Sequence, residues 1–141
     1  PVMETTGAIG VSAACVAQVL RSITFNNDGL VPTIAQQFDT GEVLMMAWMN
    51  RDAVKETLKK GHVYYWSRSR ALLWRKGESS GHIQTLKDFR WDCDADTVLL
   101  QVDQAGVACH TGRRNCFFNA VRDGEPAVIS EVEIDPSELY D

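Results

Sequence analysis

The sequence predicts an α+β fold of mostly antiparallel β strands with one clear helix, at about residues 50–60. Short β-branched and aromatic segments alternate with turn residues, and one segment has both a helix N-cap and a glycine at its end. No Pro/Gly/Ser linker divides the 141 residues. We therefore expect a single domain over residues 1–141.

The N-terminal residues 1–24 are predicted to form a helix or an arm. Their apolar stretch AIGVSAACVAQVL follows Glu4 with no Lys or Arg before it, which is atypical of a secretory signal. No apolar run reaches the roughly 20 residues that span a bilayer. The net charge of −5 argues against a general nucleic-acid surface. We expect a cytoplasmic protein that binds neither membrane nor nucleic acid.

The elements follow in order along the chain. LVPTIAQQFDTGEVLMMAWMN predicts two strands around the turn Asp39-Thr40-Gly41. NRDAVKETLKKG predicts the helix, because Asn50 suits the N-cap, the two lysines suit the C-terminal end, and Gly61 suits the C′ position.

Further strands are expected in the second half of the chain. They cover HVYYWSRS, ALLWRK, one or two segments of HIQTLKDFRWDCDADTVLLQVDQ, and parts of VACHTGRRNCFFNAV. GESSGH and Thr111-Gly112 are predicted loops, and Asp123-Gly124 is a predicted turn. AVISEVEI is expected to close the sheet as its last strand.

The segment WDCDADT predicts metal binding if it continues the strand TVLLQV. Side chains alternate between the faces of a strand, so Asp92, Asp94 and Asp96 would share one face and Cys93 would point to the other. Three carboxylates suit Mg²⁺, and a thiolate suits Zn²⁺. One strand would then serve two metal sites.

Two alternatives remain open for these aspartates. A calcium loop of the EF-hand type also begins D-x-D-x-D, but its sixth position would be Thr97 instead of Gly, and its twelfth would be Asp103 instead of Glu. A solvated acidic strand edge without a metal needs no special geometry.

Cys109 and Cys116 supply two further thiols, with His110 between them. Their spacing is not that of a zinc ribbon, and buried core cysteines are a common alternative. Together with Cys93 they make three thiols without a fourth, and catalytic zinc sites keep one position for water. Such a site would activate water, and His110 is our candidate base or proton shuttle.

A basic segment predicts an anion site. From residue 62 to residue 76 the chain has no acidic residue, and Arg favours bidentate contacts with phosphate. GESSG adds hydroxyls and closely approachable backbone N–H groups. A solvated basic sheet face is the alternative. The candidate substrate-binding residues are Arg68, Arg70, Arg75, Lys76, Gly77, Glu78, Ser79, Ser80, Gly81, His82 and Arg113.

The runs TGEVLMMAWMN, YYWSRSR, LWRKGESSGHIQ, WDCDADT and GVACHTGRRNCFF occur in this order between residues 25 and 118. Together they resemble the stand-alone phosphoribosyl-AMP cyclohydrolases of histidine biosynthesis. The resemblance implies a hydrolase that opens the adenine ring of phosphoribosyl-AMP at its N1–C6 bond with zinc-activated water. It also implies an intertwined homodimer.

The resemblance further implies a role for each candidate ligand. Zn²⁺ would be held by Cys93 of one subunit and by Cys109 and Cys116 of the other, and Mg²⁺ by Asp92, Asp94 and Asp96. A zinc-stabilised dimeric binding module is the rival interpretation, and a fourth protein ligand on zinc would favour it. A zinc deaminase is disfavoured because the H-x-E and P-C-x-x-C elements are missing.

Overall fold

A computed structural model of the chain describes residues 11–139. Of the predicted N-terminal helix or arm, residues 1–10 lie outside that range, and the rest contains a helix. The elements are α1 (Ala13–Ser22), β1 (Val31–Gln37), β2 (Val43–Met49), α2 (Arg51–Lys60), β3 (Tyr64–Ser67), β4 (Leu72–Arg75), β5 (Gln84–Trp91), β6 (Val98–Gln104), β7 (Asn119–Arg122), β8 (Glu125–Val128) and a 3₁₀ turn (Pro136–Glu138).

Helix α2 confirms the predicted helix. The side chain of Asn50 accepts a hydrogen bond from the Ala53 N–H at 2.8 Å. Gly61 ends the helix with φ 76°, a left-handed conformation that glycine adopts without a Cβ clash. Val54 and Leu58 lie on its buried face, so the helix packs on the sheet through one side.

The main sheet has the strand order β2-β1-β6-β5, and its central pair β1 and β6 is parallel. The other pairs are antiparallel, so the predicted α+β class with mostly antiparallel strands is confirmed. Val31 and Ala35 of β1 and Leu100 and Val102 of β6 are buried on one face of the sheet, in the hydrophobic core. In the described range no helix is long and apolar enough to cross a membrane.

The prediction that residues 127–134 close the sheet is wrong. β8 pairs with β7 in a separate two-stranded sheet around the predicted turn at Asp123-Gly124. Beyond β8, the N–H groups of Glu133 and Ile134 donate to the Gly112 carbonyl at 2.8 and 3.1 Å. These two hydrogen bonds attach the segment to the loop that follows β6 instead of to the main sheet.

Candidate active site

The segment WDCDADT forms a turn, so the prediction that it continues a strand is wrong. β5 ends at Trp91, β6 begins at Val98, and these two residues pair across the ladder. The Asp92 N–H donates to the Thr97 carbonyl at 3.0 Å and closes the turn. Ala95 has φ 60°, in the left-handed region that strand residues avoid. Because these residues form a turn, the predicted separation of the three carboxylates and the Cys93 thiol onto opposite faces of a strand does not apply.

Asp92 organises this turn with its own carboxylate. Its Oδ1 accepts from the N–H groups of Asp96 at 3.0 Å and Thr97 at 3.3 Å. Local desolvation raises the pKa of Asp96, and the carboxylates of Asp92 and Asp94 raise it further. The three predicted magnesium ligands are thus close enough to repel one another, on a surface that solvent reaches.

Two of the three predicted zinc ligands meet in the segment after β6, residues 105–116, which we call the thiol loop. The Cys109 Sγ lies 3.0 Å from the Thr111 Oγ1. The Cys116 N–H donates to the Leu44 carbonyl at 2.8 Å, which ties the end of the loop to β2. Burial raises the pKa of the Cys116 thiol to about 12, and the neighbouring Cys109 thiol contributes to the rise. The loop therefore brings the two sulfur atoms together.

Cys93 stands apart from this pair. It is exposed in the WDCDADT turn, whereas Cys109 is buried and Cys116 is half-buried. Within residues 11–139, no three His, Cys, Asp or Glu side chains are grouped so that they could hold a metal ion. In one copy of the chain, two soft ligands are therefore adjacent, and Cys93 is not grouped with them.

Seven of the eleven predicted substrate-binding residues line a cavity of about 320 Å³. It lies at the end of β4 and along the following segment, residues 77–82, which we call the cavity loop. Its lining consists of Arg70, Trp74, Arg75, Lys76, Gly77, Glu78, Ser79 and Ser80. Seven of these eight residues were predicted from the sequence, and Trp74 was not. Three cationic side chains and two hydroxyls give the cavity the chemistry of an anion site.

Lys76 joins the cavity to the thiol pair. Its Nζ donates to the Ala108 carbonyl in the thiol loop at 2.6 Å and lies 5.6 Å from the centre of the Trp74 ring. Burial lowers the pKa of Lys76, while the charges of Cys116 and Cys109 oppose that change. The positive charge of Lys76 partly opposes the rise in the pKa of Cys116, and its side chain links the lining of the cavity to the thiol loop.

Three further predicted site residues, Arg68, Arg113 and His110, are not part of the cavity lining. Arg68 lies over the Trp48 ring at 4.9 Å and lines a different, smaller cavity. Arg113 donates to the Ser130 carbonyl at 2.9 Å and lies over the Phe118 ring at 4.1 Å. His110 is exposed at the tip of the thiol loop, next to Cys109.

Arg114 is a structural anchor that the sequence did not indicate. Its guanidinium donates to the carbonyls of Gln104 at 3.1 Å and Gly106 at 2.6 Å, and to the Gln37 Oε1 at 2.9 Å. Its Nε lies 3.3 Å from the Glu42 carboxylate. These contacts fasten the thiol loop to the end of β1, the end of β6 and the β1–β2 turn. The adjacent pair of arginines is visible in the sequence, but two of the Arg114 partners, Gln37 and Glu42, lie more than 70 residues away along the chain.

Comparison with known proteins shows the family to which the chain belongs. The sequence model of the phosphoribosyl-AMP cyclohydrolase family matches residues 45–118, which include both loops and the WDCDADT turn. The phosphoribosyl-AMP cyclohydrolase of Rhodospirillum centenum is 62% identical over 130 residues, which cover 92% of this chain and 98% of that protein. The one from Rhodospirillum rubrum is 58% identical over 139 residues, or 98% of this chain and 94% of that protein. The chain therefore belongs to the phosphoribosyl-AMP cyclohydrolase family.

Proposed function

We propose that this protein hydrolyses the N1–C6 bond of the adenine ring in phosphoribosyl-AMP, as a step of histidine biosynthesis in the cytoplasm. The product is the phosphoribosylformimino-aminoimidazole carboxamide ribotide. The observation that supports this function most directly is the junction at Lys76, where a cationic cavity meets a pair of thiols. The substrate has two phosphate groups, so a cavity with Arg70, Arg75 and Lys76 suits it.

The thiols are the proposed ligands of Zn²⁺. Cys109 and Cys116 are already adjacent, and thiolate sulfur is a preferred zinc donor. Cys93 is exposed, so it is available to the thiol pair of a second copy, and we propose a homodimer with two such shared sites. When bound, Zn²⁺ lowers the pKa of a coordinated water toward 7 and so supplies a nucleophile at neutral pH.

The chain's own residues would hold the substrate against that centre. The cavity loop would bind phosphate together with Arg70 and Arg75, which line the same cavity. Lys76 would keep its hydrogen bond to the Ala108 carbonyl, between the phosphate and the thiols. His110 is exposed beside Cys109 and is the proposed proton shuttle. Arg68 and Arg113 are committed to aromatic rings, so they are weaker candidates for substrate contact.

The aspartates of the WDCDADT turn are the proposed Mg²⁺ ligands. Asp92, Asp94 and Asp96 place hard oxygen donors within one short turn, and a divalent cation would draw them together and relieve their mutual repulsion. Because Cys93 lies inside the same turn, a cation there would also fix the position of the third zinc ligand.

Incubation with phosphoribosyl-AMP tests the function. The purified protein, loaded with Zn²⁺ and Mg²⁺, is expected to open the ring, which is followed by ultraviolet absorbance and by mass spectrometry of the product. AMP, which has no N1 substituent, is the matched control substrate and should not be opened. Absence of turnover with both metals bound would refute the assignment.

Replacing His110 with Ala is expected to lower kcat by about 10²- to 10⁴-fold, the usual range for loss of a general acid or base. Zinc content should not change, because His110 is exposed and is not one of the proposed ligands. Metal analysis and steady-state kinetics on the same preparation check both statements. Turnover close to that of the unmodified protein would exclude His110 from the mechanism.

Zinc affinity is expected to rise with pH. The pKa of the Cys116 thiol is raised to about 12, so between pH 6 and pH 8 the metal-free loop keeps this proton and zinc must displace it. The apparent Kd should therefore fall by about tenfold per pH unit for each thiol that is deprotonated on binding. Competition with a chelator of known proton affinity, repeated at three pH values, measures the slope. An affinity independent of pH would contradict thiolate ligation.

Removing one carboxylate from the turn should separate magnesium binding from folding. Asp94 is exposed, and its loss reduces charge repulsion, so Asp94→Asn should melt no lower than the unmodified protein without Mg²⁺. Mg²⁺ at a hundredfold excess over Kd should stabilise the unmodified protein by about 2.7 kcal/mol, which is seen as a rise in Tm, and in Asp94→Asn this rise should disappear. Asp123→Asn, in the β7–β8 turn, is the matched control and should keep the rise. If Asp94→Asn keeps it as well, the turn is not the magnesium site.

A further inference from the structure

His82 connects the cavity loop to the thiol loop through one ring nitrogen. It is the last residue of the cavity loop, and its Nδ1 accepts a hydrogen bond from the Val107 N–H at 2.9 Å. Val107 lies two residues before Cys109 in the thiol loop. The bond therefore runs from the loop that lines the anion cavity to the backbone that places the first thiol.

This bond fixes the chemical form of the ring. Nδ1 accepts with its lone pair, so it has no proton, and the proton of the neutral imidazole is on Nε2. A charged imidazolium could not accept at Nδ1. The structure thus assigns His82 a single tautomer, and the contact with the thiol loop uses the nitrogen that lacks the proton.

Gly106 leaves room for the ring. A Cβ on Gly106 would lie 2.1 Å from the His82 Nδ1 and 2.5 Å from its Cε1, well inside any permitted contact. Glycine therefore lets the imidazole lie directly against the thiol-loop backbone. Gly106 has φ 65°, so a side chain there would also strain the backbone, and a test must separate these two effects.

The backbone of His82 is held independently of the ring. Its N–H donates to the Ser80 Oγ at 3.2 Å, and its carbonyl accepts from the Gln104 Nε2 at 3.0 Å. On the other side, Ala108 next to Val107 accepts from the Lys76 Nζ at 2.6 Å. Two bonds therefore connect the cavity region to adjacent thiol-loop residues, one from Lys76 and one from His82.

We propose that His82 is a positioning residue, which sets the thiol loop relative to the substrate cavity through Nδ1. The inference rests on the proposed function, because it assumes that substrate in the cavity reacts at the thiol centre. Loss of the Nδ1 contact leaves the cavity's cationic groups in place but misaligns the thiols. We expect a lower kcat with little change in KM, and weaker zinc binding.

Two substitutions at His82 test which nitrogen matters. In His82→Asn the amide oxygen occupies nearly the place of Nδ1 and can accept from Val107, whereas in His82→Gln the amide lies near the place of Nε2. We expect His82→Asn to keep kcat and zinc affinity close to those of the unmodified protein. In His82→Gln, kcat and zinc affinity should each fall by about 10- to 100-fold, the range found when residues that orient metal ligands are altered.

Gly106→Ala tests the same contact from the other loop, since its methyl group displaces the ring. It should reproduce the Gln phenotype. Gly29→Ala is the control for backbone strain, because Gly29 has φ 75° with no atom within 4 Å of the added Cβ, and it should keep kcat and zinc affinity.

The proposal is overturned if kcat and zinc affinity of His82→Gln equal or exceed those of His82→Asn. The ring would then act through Nε2 or would not position the thiol loop at all. It is also overturned if Gly106→Ala has the same kcat and zinc affinity as Gly29→Ala. Zinc affinity, measured by chelator competition, gives this answer without any substrate. Failure of the unmodified protein to open phosphoribosyl-AMP would instead refute the proposed function.

Discussion

Replacing Cys109 with Ser is expected to remove zinc binding and to lower kcat/KM for ring opening by about 10³-fold or more. The loss corresponds to the several kcal/mol of transition-state stabilisation that a catalytic metal supplies. A hydroxyl is nearly isosteric with a thiol, but it does not give up its proton to zinc at neutral pH. Cys109 is buried with its sulfur 3.0 Å from the Thr111 hydroxyl, so a serine there can keep that contact.

Cys15→Ser is the matched control for a general thiol effect. Cys15 is exposed on α1, so its replacement should leave zinc content and kcat unchanged. The two variants are compared by metal analysis, kinetics and thermal melting of the metal-free protein. A Cys109→Ser protein that kept one zinc ion and full activity would contradict the assignment of the thiol loop as the metal centre.

Mixing two inactive variants tests whether the site is shared between copies. Cys93→Ser retains the thiol pair, and Cys109→Ser retains Cys93. In a randomly reassembled symmetric dimer, half of the molecules are hybrids and one of their two sites is intact, so about one quarter of the activity should return. Native mass spectrometry shows when the exchange of subunits is complete. If no activity has returned at that point, all three thiols act within one chain.

The sequence predicted well those elements whose causes are local. Helix α2 begins at an Asn cap and ends at a Gly with φ 76°, and both signals lie within one residue of the helix. The β1–β2 turn and the Asp123-Gly124 turn likewise follow from turn residues between apolar segments. The cavity loop was also predicted, because clustered cations and a GESSG loop share one short segment.

The WDCDADT turn could not be predicted by alternation alone. A D-x-D-x-D pattern has the period of a strand, but the same residue type also favours turns, because an Asp side chain can bond to nearby backbone N–H groups. Asp92 does so with Asp96 and Thr97, and Ala95 adopts φ 60° where a Gly or Asn is usual. The pairing of Trp91 with Val98, which leaves six residues for the turn, is a property of the whole sheet.

The thiol loop was predicted only in its chemistry. Cys109 and Cys116 were recognised as candidate ligands, but their approach depends on contacts with distant segments. The Leu44 carbonyl accepts a hydrogen bond from the Cys116 N–H. Ile134 lies so close to Gly112 that a Cβ added to Gly112 would be 1.8 Å from the Ile134 carbonyl oxygen. A single sequence does not reveal such pairings, since each partner looks like an ordinary strand or tail residue.

Arg114→Ala is expected to lower the free energy of unfolding of the metal-free protein by about 3 kcal/mol. The substitution removes four hydrogen-bonding contacts and leaves the Gln104 and Gly106 carbonyls short of a donor, at a guanidinium that is only about one quarter exposed. For a chain of this size that corresponds to a fall in Tm of roughly 9 °C. The Glu42 carboxylate also loses its ion pair, although Asn115 still donates to it at 2.8 Å.

Its neighbour Arg113 provides the matched comparison. Arg113 donates one hydrogen bond to Ser130 and lies over Phe118, so Arg113→Ala should cost only about 1 kcal/mol. Arg114→Lys keeps the charge but not the planar guanidinium that contacts four partners at once, so its stability should fall between those of the two alanine variants. If Arg114→Ala unfolds no earlier than Arg113→Ala, the guanidinium does not anchor the loop. The thiol pair would then be held mainly by the backbone bonds of residues 108–116, and zinc affinity should be the same in both variants.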